Sequence, residues 1–151
     1  MSDNVIFSRT ASVAEFIAQA IRESAESLDA AVYRMNNLTL AGLLAERANQ
    51  GVRIRLILDR GRYENDTATR AGLARYRLPF RVLHGRAGPG SKMHHKFAIL
   101  DNRIVLTGSY NWTLESEEKN YEGLLVLREP LQVEKYREEF EALWRDAQEH
   151  A

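Results

Sequence analysis

The sequence contains no cysteine, which excludes disulfide bonds and thiolate metal sites. It has no apolar run that approaches the ~18–20 residues of a membrane-spanning helix. Its first four residues, MSDN, lack the charged and apolar regions of a signal peptide. From these absences we expect a cytoplasmic protein without stable membrane insertion.

What is present is typical of a globular protein: 44% of the residues are hydrophobic and 28% are charged. A chain of 151 residues is long enough to bury a sizeable core. Neither an internal repeat nor a low-complexity tract divides it. We therefore expect one domain that covers residues 1–151.

Charge is distributed unevenly, although the formal net charge is zero. Residues 52–96 contain eleven Arg and Lys against three acidic residues, whereas residues 115–151 contain eleven acidic residues against five basic ones. A basic surface of this kind suits a partner that carries phosphates. The alternative is a solvated basic face beside an acidic C-terminal helix.

The hydrophobic pattern alternates strands and helices through the first half of the chain. Short apolar stretches predict strands at residues 4–8, 28–35, 52–58, 80–84 and 121–127, and apolar residues at helical spacing predict helices at residues 12–24, 39–49, 67–76 and 131–147. Strands that alternate with helices favour parallel pairing. We therefore expect an α/β fold with a mixed, mostly parallel sheet flanked by helices. Residues 85–91 (GRAGPGS) are expected to form a mobile surface loop.

A predicted hairpin contains the chemically informative residues. Apolar residues at 97–100 and 104–106 flank Asp101-Asn102, which is typical of two core strands joined by a turn. Residues two apart on a strand share a face, so His94 and Lys96 are expected to project together, and His95 away from them. The far end of the return strand would bring a hydroxyl and an amide back beside them. Such a cluster suits a phosphoryl group, which the imidazole would attack.

The spacing of these residues resembles the signature of the phospholipase D superfamily. The matching positions are His94-x-Lys96, Asp101 after four residues, and Gly108-Ser109-x-Asn111 after six more. Asn120-Tyr121-Glu122 is similar to the acidic element that follows this signature in the family's small, single-motif endonucleases. The resemblance is close in the C-terminal half and loose at residues 51–59.

The residues and the resemblance together suggest a role for each side chain. His94 would be the nucleophile, and Lys96 and Asn111 would bind non-bridging phosphate oxygens. Ser109 would add a hydroxyl, and the resemblance implies that Glu122 orients the His94 ring. Expected substrate-binding residues are Arg53, Arg55, Lys92 and Trp112, although packing beneath the site is an equal alternative for Trp112.

Other motif residues are expected to be structural. Asp101 lies at an odd spacing from Lys96 and should cap the hairpin, and Gly108 belongs to the same motif. His95 should point away from His94, so the pair is not expected to chelate a metal, and no cofactor is expected. His84 and His150 have no evident partners.

These observations predict a metal-independent phosphodiesterase that forms a phosphohistidine, acting as an endonuclease on DNA or RNA. One alternative is hydrolysis of phospholipid headgroups, for which an apolar rim would be expected. Another is a nucleic-acid-binding module without catalysis. Because larger family members carry two motifs and this chain has one, the resemblance implies a homodimer with one active site at its two-fold interface.

Overall fold

The computed structural model describes residues 5–149, in which fifteen helices and strands follow one another. Asn4, at the start of the first predicted strand, and His150 lie outside the described residues. In chain order the elements are β1 (Val5–Phe7), α1 (Val13–Glu23), β2 (Ser27–Val32), α2 (Leu38–Asn49), β3 (Arg53–Asp59), α3 (Arg60–Asn65), α4 (Thr67–Tyr76), β4 (Phe80–Gly85), β5 (Gly88–Lys92), β6 (Lys96–Leu100), β7 (Ile104–Gly108), α5 (Leu114–Glu118), β8 (Gly123–Leu127), α6 (Pro130–Asp146) and β9 (Gln148–Glu149).

The strands form one mixed sheet in the order β1-β8-β7-β6-β2-β3-β4-β5, with β9 beside β4. An α/β fold with a mixed sheet flanked by helices is thus confirmed. The expectation that parallel pairs predominate is wrong, because within residues 5–149 only β2–β3 and β3–β4 pair in parallel. Parallel neighbours need a long crossover. Only the segments that contain α2, or α3 and α4, return the chain to an adjacent strand in that way, and β1 pairs antiparallel with β8 at the sheet edge.

The two faces of the sheet are covered by different helices. Side chains of α1 and α2, among them Ile17 and Leu44, pack on one face. Val133 and Phe140 of α6 pack on the other face, and Trp144 is partly buried beside them. Alternation along β2 sends Ala30 and Val32 to the first core and Ala31 to the second. The predicted helical stripes are therefore core positions.

The glycine-rich segment is not the irregular loop that its composition predicts. Residues 88–92 form β5, which pairs antiparallel with β4. Glycine permits this pairing, because a Cβ at Gly85 would stand 2.4 Å from the backbone nitrogen of Lys92. Gly88 and Gly90 adopt φ values of 81° and 92°, which few other residues tolerate. The conformational freedom of these glycines thus allows a tight hairpin here.

Candidate active site

Lys96 is the first residue of β6 and His94 lies two residues before it, with both side chains on the same side of the chain. The Lys96 ammonium is 3.2 Å from Nδ1 of His94 and donates a hydrogen bond of 2.7 Å to the His94 carbonyl oxygen. His95 points elsewhere, with its ring 5.3 Å from that of Phe97. The imidazole and the ammonium thus lie together, as the sequence predicts, although His94 belongs to the short irregular segment before β6 and not to a strand.

The protonation state of His94 follows from its surroundings. Partial burial lowers its pKa, and the positive charges of Lys96 and Lys92 lower it further. Burial also lowers the pKa of Lys96, against the opposing effect of the Glu122 carboxylate. At neutral pH the imidazole is therefore uncharged, which is the form that can attack phosphorus.

Ser109 and Glu122 meet at the ends of β7 and β8. The Ser109 hydroxyl donates to the Glu122 carboxylate at 2.6 Å, and Ser116 donates to its other oxygen at 3.0 Å. Gly108 brings the two strands close, since a Cβ there would stand 2.2 Å from the Gly123 carbonyl oxygen. Within residues 5–149 no hydrogen bond joins Glu122 to His94, so one chain by itself does not form the carboxylate–imidazole pair that the resemblance implies.

Asn111 is held with its amide nitrogen available. Its Oδ1 accepts a hydrogen bond of 3.2 Å from the backbone N–H of Arg34. The Nδ2 group is then the part of this side chain that is able to donate to a bound oxyanion. His94, Lys96, Ser109, Asn111 and Glu122 are all carried by the adjacent chain segments at this end of β6, β7 and β8.

Sequence reasoning missed Asp59 as a positioning residue. Its buried carboxylate accepts the backbone N–H of Met93 at 2.9 Å, and also that of Arg62 at 3.0 Å, where it caps α3. It therefore fixes the chain directly before His94. The sequence does show an aspartate at the end of a buried strand, directly before a helix, which is typical of a helix cap. Its contact with residue 93 could not be predicted, because the two residues are far apart in the chain.

Tyr33 was missed as well. Its ring centroid is 4.6 Å from that of His94, and its backbone N–H donates to the His95 carbonyl oxygen at 2.8 Å. The Lys92 ammonium is 5.8 Å from the centroid of the same ring. Lys92, predicted to bind substrate, is thus beside the candidate site.

The structure does not bring Arg53 and Arg55 to this site, so their contact with a substrate stays a prediction. Val32 pairs with Lys96, whereas Arg55 and Arg53 lie three and five residues before the β3 partner of Val32, roughly 10 and 17 Å along the strand. Both guanidinium groups form ion pairs with the buried carboxylate of Asp29, and the distance from Arg55 is 2.9 Å. A buried carboxylate needs such countercharges, and this requirement cannot be seen in local sequence.

Trp112 does not offer a stacking surface, because only 3% of it is exposed. Its backbone carbonyl oxygen accepts hydrogen bonds from Asn36 and Asn37. Of the two readings left open by the sequence, packing beneath the site is the one that the structure supports.

Asp101 lies at the opposite end of β6 from Lys96. Its carboxylate accepts backbone N–H groups of Ala25, Glu26 and Ser27, at 2.7 to 3.1 Å. Burial alone would raise its pKa, but these three donors outweigh that effect and hold the pKa below its ordinary value. The carboxylate thus ties the hairpin turn to the connection before β2.

A groove of about 580 Å³ opens beside His94, between the β4–β5 hairpin and α6. Its lining combines basic, acidic and apolar side chains, among them His84, Arg86, Lys92, Leu143 and Glu139. Within residues 5–149 no three His, Asp or Glu side chains are grouped so that they could hold a metal ion. No helix in that range is long and apolar enough to span a bilayer.

A family model, several curated proteins and several solved structures are similar to this chain. Residues 17–144 match the family model described as "Cardiolipin synthase, PLD-like domain". Mitochondrial cardiolipin hydrolases of Chlamydomonas reinhardtii and Homo sapiens are both 33% identical, over 120 and 128 residues that cover 78% and 85% of this chain. The chain spans about half the length of these curated relatives, at 51% and 49%. The crystal structure of Nuc, a phospholipase D family member from Salmonella typhimurium, superimposes with a TM-score of 0.86 at 24% identity, covering 97% of this chain and 95% of Nuc.

Proposed function

The chain belongs to the phospholipase D superfamily, and from that premise we propose that it is a metal-independent endonuclease that cleaves DNA or RNA through a phosphohistidine. The observation that carries the proposal is the Lys96 ammonium 3.2 Å from Nδ1 of His94, in surroundings that lower the pKa of that imidazole. Membership makes the chain a hydrolase of the phosphodiesterase type. Its substrate and the roles of individual residues are inferred below.

The proposed reaction has two displacements. His94 attacks phosphorus, and the bond to the leaving oxygen breaks as that oxygen takes a proton from a general acid. Lys96 and the Asn111 amide hold the non-bridging oxygens as their charge increases. Water then attacks the phosphohistidine and releases His94. The hydroxyl of Ser109 keeps Glu122 in place at 2.6 Å.

Basic side chains near His94 favour a nucleic acid. Lys92 and Arg86 line the groove beside it, together with His84. Arg62 and Lys92 also flank Tyr33. A polyanionic strand gains from several such contacts, because each releases counterions.

A phospholipid is the second candidate, and two observations favour it. The curated relatives are named as cardiolipin hydrolases. In addition, apolar side chains are exposed along β1 and β8: Phe7 at 56%, Val5 at 43% and Leu125 at 42%. Such a rim is what a lipid surface would contact, and a protein partner would use it equally well.

One assay distinguishes these substrates and also tests metal independence. The pure protein is incubated in excess EDTA with single-stranded DNA, duplex DNA, RNA and cardiolipin vesicles. We expect nucleic acid to be cleaved as fast in EDTA as without it. The reason is that Lys96 and Asn111 supply the phosphate contacts that a metal ion supplies in metal-dependent nucleases. His94→Ala protein purified in the same way controls for contaminating nucleases.

Loss of activity in EDTA that Mg²⁺ or Mn²⁺ specifically restores would contradict metal independence. Turnover of vesicles but of no nucleic acid would select the lipid reading.

We further propose that the active unit is a homodimer with one shared centre. The chemistry needs a second group to protonate the leaving oxygen, and each chain supplies one His94. Glu122 makes its hydrogen bonds to Ser109, Ser116 and Asn120 within the chain. Two hairpins that face each other would place both His94 rings on opposite sides of one phosphate.

Subunit mixing tests the shared centre. Wild-type and His94→Ala chains are unfolded together in equal amounts and refolded, so that about a quarter of the dimers are wild-type pairs if association is random. A shared site predicts activity near that quarter, and independent sites predict about half. Activity at half, or a fully active monomer in sedimentation at assay concentration, would contradict the shared site.

A further inference from the structure

Tyr33 is the aromatic ring nearest to His94, and the proposed reaction gives it no task. It follows β2 directly, and its backbone is fixed by the hydrogen bond to His95. Tyr33 as a residue is partly buried, so part of it is accessible beside the candidate nucleophile. An accessible aromatic face next to a reacting phosphate is a surface on which a base is able to stack.

Three cationic groups surround this ring. Nζ of Lys96, Nζ of Lys92 and the guanidinium carbon of Arg62 lie 5.5, 5.8 and 6.0 Å from its centroid. Among the described residues, none of the three has a carboxylate within ion-pairing distance, whereas Arg34, Arg53 and Arg55 each have one. Within the part of the chain that the structure describes, these three cations are therefore not held in ion pairs, and the Glu122 carboxylate acts on Lys96 only from a greater distance.

Arg62 adds an independent observation. Its Nε is buried and has no hydrogen-bond partner among the described residues. An unsatisfied buried donor is costly, and an oxygen of a water molecule or of a ligand is one way to satisfy it. The Arg62 backbone N–H is bonded to Asp59, which holds this residue near Tyr33.

We propose that Tyr33, Arg62 and Lys92 form a subsite for the nucleotide next to the scissile phosphate, with its base stacked on Tyr33 and its phosphate bound by Arg62 and Lys92. This rests on the proposed nuclease function and deepens it, because an exposed base face implies a single-stranded substrate. The second phosphate of a lipid such as cardiolipin would bind the cations, but the lipid has no base that could stack on the ring.

The test compares two single-stranded substrates of equal length, a thymidine oligonucleotide and one with abasic tetrahydrofuran residues. Tyr33→Leu is expected to lower kcat/KM on the thymidine substrate about fivefold or more, since base–aromatic stacking is worth about 1–3 kcal/mol. On the abasic substrate the same change should cause a clearly smaller loss, because only the contact of the ring with His94 is then removed. Tyr33→Phe, which keeps the ring, should resemble the wild type on both.

Arg62→Gln tests the phosphate contact separately. It should raise KM on both substrates, because both retain the phosphate. Arg103→Gln is the matched control, since Arg103 is exposed at the β6–β7 turn, at the end of β6 remote from Lys96. That variant removes the same charge and should leave KM unchanged.

Equal losses on both substrates in Tyr33→Leu would overturn the subsite, because Tyr33 would then only position His94. An unchanged KM in Arg62→Gln would also overturn it, and this arm remains available if Tyr33→Leu does not fold. If the wild type cleaves the thymidine substrate, the nuclease function stands whatever the variants do. Cleavage of cardiolipin vesicles but of neither oligonucleotide would overturn both proposals.

Discussion

His94→Ala is expected to retain less than about a hundredth of the wild-type kcat, because covalent catalysis is worth more than that factor. The imidazole stands at a polar site before β6, and the backbone there is held by Asp59 through Met93 and by the Tyr33 N–H through His95. Removing the ring should therefore leave the fold and substrate binding largely intact. Single-turnover kinetics with the thymidine oligonucleotide measure the rate and substrate binding. A thermal melt measures the stability of the fold.

Lys96→Ala is the informative companion variant. Lys96 would contact phosphate in both the ground and the transition state, so KM should rise and kcat should fall. His94→Ala should change kcat alone. A His94→Ala protein that keeps more than about a hundredth of the wild-type rate would refute the nucleophile assignment.

Asp101→Ala is expected to cost about 2–4 kcal/mol of unfolding free energy while kcat/KM of the folded protein stays unchanged. The variant loses an ionised acceptor that serves the N–H groups of Ala25, Glu26 and Ser27. It also places alanine at a φ of 54°, a left-handed conformation that aspartate and asparagine tolerate better. Urea denaturation and steady-state kinetics on the same preparation separate the two effects.

Asp101→Asn should fall between the wild type and alanine, because it keeps an oxygen acceptor and tolerates the backbone conformation. The effect should also depend on pH. The folded-state pKa of Asp101 is depressed, so its contribution is present above the unfolded pKa of about 3.9 and is lost as the pH falls through the folded value. A properly folded Asp101→Ala protein without activity would instead show that this carboxylate takes part in the chemistry.

Much of the local structure was predictable, because the periodicity of apolar residues records which face of an element is buried. The stripes of α1 and α6 and the β6–β7 hairpin were predicted in this way. The two-residue spacing correctly predicted that His94 lies beside Lys96, although His94 precedes the strand, and the motif spacing identified the family. The candidate catalytic residues were readable because they lie within 29 consecutive positions, 94–122.

Contacts between residues that are far apart in the chain were decided only by the tertiary structure. Arg55 has the appearance of a surface cation in the sequence, but the buried Asp29 on the neighbouring strand requires its charge. Tyr33 and Arg62 join the site only because β2 ends, and α3 begins, close to the start of β6.

The sequence by itself determined most of the helices and strands of this protein, although not α3 or β5, and the residues of its candidate site. Folding decided which strands pair, which cations form ion pairs, and that Ser109 donates a hydrogen bond to Glu122 within one chain. The physical reason is that periodicity reports the burial of each element separately, whereas ion pairs and strand order depend on groups that are far apart in the chain.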